Sequence, residues 1–184
     1  IKASFGSWGA FSDVIVKAIP LMLIGLGCSL AFRMRLWNIG AEGQFFVGAF
    51  LATAVVMVPL VDLDTTPRWA VLSLMAALGM LGGAIYAFIA GYLKAKLNIN
   101  EIIITLMLNY IAVLWNNYWI FGKWSESGFQ MTKVFPKNAW LPRLADLAGK
   151  FPFFSGMTVH AGIFFALAAA IIVYLIIYRS KWGY

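Results

Sequence analysis

Charge is scarce in this chain. Only 11% of its 184 residues are Asp, Glu, Lys or Arg, against about a quarter in an ordinary soluble domain. There is one histidine and one cysteine. A lone Cys28 excludes an intramolecular disulfide, and one His with one Cys cannot assemble a zinc site. No G-x-x-x-x-G-K-[ST] loop occurs, so the chain does not cradle ATP phosphates in that way, and no H-E-x-x-H occurs. No paired carboxylates are spaced for acid–base work. These gaps argue against an enzyme, and against any metal or cofactor held by this chain.

What is abundant is apolar. Hydrophobic residues make up 62% of the sequence and the mean hydropathy is +0.85. A soluble chain of this length has too little interior to bury so much apolar surface. The composition therefore describes an integral membrane protein. A spanning helix needs roughly 20 mostly apolar residues. Five segments qualify, at about 14–32, 42–61, 69–93, 101–121 and 157–178. None shows the two-residue alternation of a barrel strand. The expected fold is all-α, a polytopic transmembrane helix bundle forming a single domain over 1–184. The first residue is Ile rather than Met, and the end follows an apolar run directly. Both ends read as cut from a longer chain.

The formal charge of +7 is a topology signal. Arg33 and Arg35 follow the first segment, Lys94 and Lys96 the third, Arg179 and Lys181 the fifth. The turn from Asp62 to Arg68 is acidic with one Arg. The positive-inside rule then places the three basic ends in the cytoplasm, the start of the chain outside and its end inside. The long connection 122–156 falls outside. It carries Trp124, Phe129, Trp140, Pro136 and Pro142 and reads as an ordered cap, with 141–149 as a short interfacial helix that Gly149 ends. It serves either as a lid on helix ends or as a docking surface. Residues 1–13, with Phe5, Trp8 and Phe11, read as an interfacial segment anchored by aromatics.

Three constellations stand out. Gly79, Gly83, Ala87 and Gly91 recur at four-residue steps on one face of the third segment, a small-residue line for close helix packing. Packing within one molecule is favoured over a dimer interface. On the fourth segment Glu101, Thr105, Asn109, Ala112 and Asn116 fall within an arc of about 80°. Polar groups are costly in hydrocarbon, so this stripe faces the bundle or a wet cavity. Its amides act either as interhelical hydrogen-bond glue or as a lining for a polar solute. Glu101 can also be a simple helix-start carboxylate.

The third constellation is the polar, glycine-rich knot Asn38-Ile-Gly-Ala-Glu-Gly-Gln44, set between two apolar runs. It is a broken or re-entrant region near 33–44, or else a tight hairpin. In the hairpin reading Asn38 or Gly40 caps the next helix, with Glu42 and Gln44 in its first turn. In the broken-helix reading it marks a solute path. Asn38, Glu42, Gln44, Asn109 and Asn116 are the candidates for lining or shaping that path, since amides both donate and accept hydrogen bonds. Pro20 with Gly25 and Gly27 should bend the first segment. His160 reads as an interface or packing residue.

With these residues placed, the chain resembles one family. Pro20-Leu-Met-Leu-Ile-Gly-Leu-Gly27, Ala31-Phe-Arg33, the 38–44 knot and Asn100-Glu-Ile-Ile-Ile-Thr-Leu-Met-Leu-Asn-Tyr-Ile-Ala112 are similar to the membrane permease subunit of bacterial ABC importers in the branched-chain amino acid, ribose and simple-sugar group. The nucleoside or simple-sugar permeases are the most similar branch. The resemblance runs over nearly the whole chain. It implies a fragment of a larger permease in the bacterial plasma membrane, the path for nucleosides or related sugars. It also implies a second permease subunit, identical or different, cytoplasmic ATP-binding subunits that hold the ATP, and an extracytoplasmic solute-binding protein. Branched-chain amino acids or another polar solute are the alternative cargo. An ion-coupled secondary transporter is the alternative mechanism, which the near absence of ionisable residues in the helix interiors disfavours.

Overall fold

A computed structural model describes residues 6–58, 60–63, 65–126, 128–129, 131–149 and 154–179. Expectations that rest on residues 1–5, Asp64, Lys150 or Lys181 lie outside the described residues. The fold is all-helical. The helices are α1 (Trp8–Arg33), α2 (Ala41–Met57), α3 (Arg68–Leu97), α4 (Glu101–Tyr118) and α5 (Gly162–Arg179). Among the described residues the only β pairing is two isolated bridges, Ser125 with Thr132 and Arg143 with His160. Among the described residues four spans, α1, α3, α4 with its extension to Lys123, and α5, are long and apolar enough to cross a membrane. α2 is equally apolar but has 17 residues. Large hydrophobic side chains such as Leu21, Met80, Phe88, Leu114 and Phe165 are exposed along these helices, as expected where lipid rather than water is the surroundings.

The helix limits follow local chemistry. α1 begins earlier than expected, at Trp8, because the Ser7 hydroxyl accepts the Ala10 N–H. It runs unbroken through Pro20 to Arg33. α2 stops at Met57, short of the expected 61. Val58 is extended, with φ −103° and ψ 130°, and the sequence continues with Pro59. A residue before proline is pushed out of the helical region. α3 ends at Asn98, which takes the left-handed conformation at φ 50° that asparagine tolerates better than most residues. Lys94 and Lys96 lie in its last turn, where positive charge suits the helix dipole. Asn100 caps α4 through Oδ1, which accepts the Ile102 N–H at 2.9 Å. The Lys94 ammonium meets the Glu101 carboxylate at 2.8 Å across the short turn. At Trp119 the helix loosens into a π-helical turn, Trp119–Lys123.

The chain forms two compact units, Leu36–Trp140 and the flanking pair Ile1–Arg35 with Leu141–Tyr184. In the flanking unit α1 packs on α5 around Ile19, Val159 and Ala166. The fifth segment was expected to be helical from 157, but α5 starts at Gly162. Tertiary hydrogen bonds claim residues 158–161 instead. Ser12, fully buried, accepts the Thr158 and Val159 N–H groups at 2.6 and 3.1 Å. Thr158 donates its hydroxyl to Asp13 at 2.7 Å, so the Ser12 hydroxyl donates to Thr158 at 2.9 Å. Leu144 N–H donates to the Val159 carbonyl and Ala161 N–H to the Pro142 carbonyl, both at 2.8 Å. The expected interfacial helix at 141–149 is a single 3-10 turn, Leu144–Leu147.

The Leu36–Trp140 unit is a three-helix assembly in which α2 lies against both α3 and α4. Backbones meet at glycine. A Cβ on Gly48 would stand 2.8 Å from the Gly79 carbonyl oxygen, and one on Gly82 2.7 Å from Leu51 Cδ1. A Cβ on Gly83 would stand 3.3 Å from the Gln44 carbonyl oxygen. Of the small-residue line, Gly79 and Gly83 thus lie against α2. Ala87 is half-buried, and Gly91 is exposed with nothing near it. The connection after α4 is tied to the α2–α3 turn. Asn138 Nδ2 donates to the Leu63 carbonyl at 2.8 Å, and Arg68 Nε to the Trp140 carbonyl at 2.8 Å.

Candidate functional site

The knot of 38–44 sits at the N-terminus of α2, against the polar stripe of α4. The first N–H groups of any helix lack intrahelical partners. Here α4 supplies a partner for one of them from outside. Asn109, buried, accepts the Gly43 N–H through Oδ1 at 2.8 Å and donates through Nδ2 to the Ile39 carbonyl at 2.9 Å. One amide thus bridges the segment entering α2 and the first turn of α2. Glycine permits this approach. A Cβ on Gly43 would lie 2.8 Å from Asn109 Oδ1 and 3.1 Å from its Cα, and one on Gly40 2.9 Å from Thr105 Cβ. Thr105 is buried and donates its hydroxyl to the Glu101 carbonyl at 2.7 Å, which leaves its methyl side toward Gly40.

Within the knot Asn38 and Gln44 pair reciprocally. Asn38 Oδ1 accepts the Gly40 N–H at 2.9 Å and the Gln44 side-chain amide at 3.2 Å, while Asn38 Nδ2 donates to Gln44 Oε1 at 3.3 Å. Two turns along α4, buried Asn116 donates through Nδ2 to the Phe46 carbonyl of α2 at 3.2 Å and to the Ala112 carbonyl at 3.0 Å. Of the five sequence candidates, Asn109 joins the knot to α4 and Asn116 joins the next part of α2 to α4, while Asn38 and Gln44 bond each other within the knot. The fifth, Glu42, lies in the first turn of α2 and is exposed.

Three features escaped the sequence reading. Gly40 and Gly43 are contact points with α4, not merely bend residues. Gly48 and Gly82 extend the small-residue line. Phe50, Trp115, Trp119 and Trp124 form one aromatic cluster at the far end of α4, with neighbouring ring centroids 5.0–5.9 Å apart. The i, i+4 spacing of Trp115 and Trp119 is its one local signal. Among the described residues no group of three or more His, Cys, Asp or Glu could hold a metal ion.

Residues 10–184 match the family model described as the branched-chain amino acid transport system permease component. The chain belongs to that permease family. Among similar proteins, a glucose ABC transporter permease protein of Haloferax volcanii is 36% identical over 179 residues, covering 94% of this chain and 45% of the relative. A guanosine ABC transporter permease protein of Bacillus subtilis is 34% identical over 184 residues, covering 98% and 49%. A nucleoside ABC transporter permease protein of Lactococcus lactis is 27% identical over 192 residues, covering 99% and 49%. The chain spans about half the length of these curated relatives. No solved structure gives a significant match. Permease family and apolar helices together make this a multi-pass membrane protein.

Proposed function

We propose that the chain is the part of a permease subunit that builds the solute path of an ATP-driven importer of nucleosides or related simple sugars. The observation that carries this is the family match over residues 10–184, with relatives named for guanosine, nucleosides and glucose. The path runs past the 38–44 knot. Asn109 and Asn116 shape it by fixing α2 on α4, Asn38 and Gln44 brace the knot, and the exposed Glu42 faces the polar solute. Irregular backbone at membrane depth is tolerated where it is buried in protein or lines a water-filled cavity, and broken helices of transporters are such places.

In this reading ATP is bound and hydrolysed on separate cytoplasmic subunits, a second permease subunit completes the path, and an extracytoplasmic solute-binding protein delivers cargo. The chain lies in the plasma membrane with 122–156 outside and the Arg33, Lys94 and Arg179 ends in the cytoplasm. The test is uptake by the full-length subunit reconstituted with its partners in proteoliposomes. ATP-dependent uptake of a nucleoside or sugar is the expected result. Uptake that survives ATP removal and collapses with an ion gradient would replace this reading with secondary transport.

A further inference from the structure

The aromatic cluster at the end of α4 is not absorbed by the knot and its hydrogen bonds. It brings together three of the eight tryptophans of the chain. Phe50 stacks on Trp124 at 5.0 Å and 18°, and meets Trp119 and Trp115 at 5.6 and 5.7 Å. Beside it, between α2, α3 and α4, lies a half-open cavity of about 340 Å³ lined by Phe50, Trp115, Tyr86 and aliphatic side chains. That volume falls in the range of small-molecule sites, about 300–1,000 Å³. Trp115 is 47% exposed and borders the cavity.

Two further observations point to a ligand. The Trp119 indole N–H is buried and has no acceptor, the only such side-chain atom among the described residues. Buried donors in native proteins are nearly always paired, and an orphan calls for a missing partner. Trp119 also opens the π-helical turn. Such turns are rare and frequent at functional sites.

We propose that this cluster receives the base of a nucleoside. Trp115, exposed at the cavity, offers a ring face for stacking, Phe50 forms part of the wall, and Trp119 donates its N–H to an acceptor on the base edge. The N–H is buried and Trp119 does not itself line the cavity, so entry of the base shifts the Trp119 ring, and the π-helical turn that carries it is the segment that yields. The lining favours a base over a hexose. Tyr86 is the only hydroxyl in the cavity wall, and it already donates to the Leu108 carbonyl at 2.7 Å. A hexose, with hydroxyls around its whole edge, would lose hydrogen bonds to water there. A purine or pyrimidine has apolar faces that stack on aromatic rings regardless of sequence, and its ribose stays in the opening.

This inference rests on the transport reading above and narrows it to cargo bearing a base. The test is uptake kinetics of the reconstituted full-length importer for guanosine, uridine, ribose and glucose, with Trp119→Phe, Trp115→Ala and Trp115→Phe. Trp119→Phe keeps an aromatic six-membered ring but removes the donor with the five-membered ring that carries it, and raises the nucleoside KM relative to the ribose KM by roughly five-fold. Trp115→Ala raises that ratio roughly ten-fold or more, and Trp115→Phe restores most of it. Unchanged nucleoside KM in Trp119→Phe, or equal shifts for nucleosides and ribose, would mean that the cluster only packs, and would overturn the inference. A wild-type importer that carries sugars alone would overturn it and leave the transport reading standing. No ATP-dependent uptake of any of the four solutes would remove both.

Discussion

Asn109 does for α2 what a capping residue does inside its own helix. Its side-chain oxygen takes the Gly43 N–H at 2.8 Å, from a position 66 residues away in sequence. The same amide holds the Ile39 carbonyl, so removing it orphans two backbone groups at once. Asn109→Ala in the full-length subunit should cost about 1–3 kcal/mol of stability, the usual penalty for buried groups left unpaired. Thermal unfolding in detergent checks this, and a melting temperature equal to wild type would show that the clamp contributes nothing.

The glycines divide sharply by what surrounds them. Gly48→Ala drives a methyl toward the Gly79 carbonyl oxygen at 2.8 Å, a backbone atom that moves only if α2 and α3 separate. Overpacking of this kind costs about 1–3 kcal/mol. Gly91→Ala and Gly25→Ala meet open space and should be neutral, or slightly stabilising through helix propensity. Melting temperatures of the three variants, measured side by side, should show one large loss and two values at or above wild type.

How far the sequence foretold this depends on the range of the interactions. Every apolar segment became a helix, because length and hydropathy decide that locally. The buried face of α4 was legible too. Thr105, Asn109, Ala112 and Asn116 fall on one arc at helical spacing, and all are buried. What could not be read was the partner of each amide, since Asn109 and Asn116 bond carbonyls and N–H groups 66 and 70 residues distant. The start of α5 was missed for the same reason. Residues 157–161 adjoin a long apolar run, but Ser12, Pro142 and Leu144 take backbone hydrogen-bonding groups of Thr158, Val159 and Ala161 that a helix would use. The small-residue line was seen on α3, while its counterpart Gly48 on α2 acquires meaning only once the two helices touch.

His160 offers a test by pH. It lies just before α5, and its Nδ1 accepts the Gly162 N–H at 3.1 Å. Burial, and then the charge of nearby Arg143, hold the imidazole below its ordinary range. Protonation would also destroy the Nδ1 acceptor. A base with a lowered pKa binds protons more readily when unfolded. Its contribution is therefore complete above the unfolded value of about 6.5 and is lost as pH falls through that value toward the lower folded one. The melting temperature should drop between pH 7.5 and pH 5.5 more in wild type than in His160→Asn. Equal drops would exclude His160 as the source.

Glu42 is exposed in the first turn of α2, so Glu42→Gln should leave folding and assembly unchanged. If its carboxylate meets the solute, uptake in reconstituted vesicles should fall several-fold at equal protein. Wild-type uptake would reject that role.

The central claim is that the knot at the head of α2 borders an aqueous solute path, and thiol labelling at Glu42 tests it most directly. Cys28 is the one cysteine of these 184 residues, so replacing it, and any cysteine elsewhere in the importer, by serine isolates the new thiol. In the reconstituted importer, Glu42→Cys should react with a membrane-impermeant methanethiosulfonate. That reaction should block uptake, and saturating transported solute should slow it. A thiol that stays unmodified, or whose modification proceeds at the same rate with and without solute, would contradict the account.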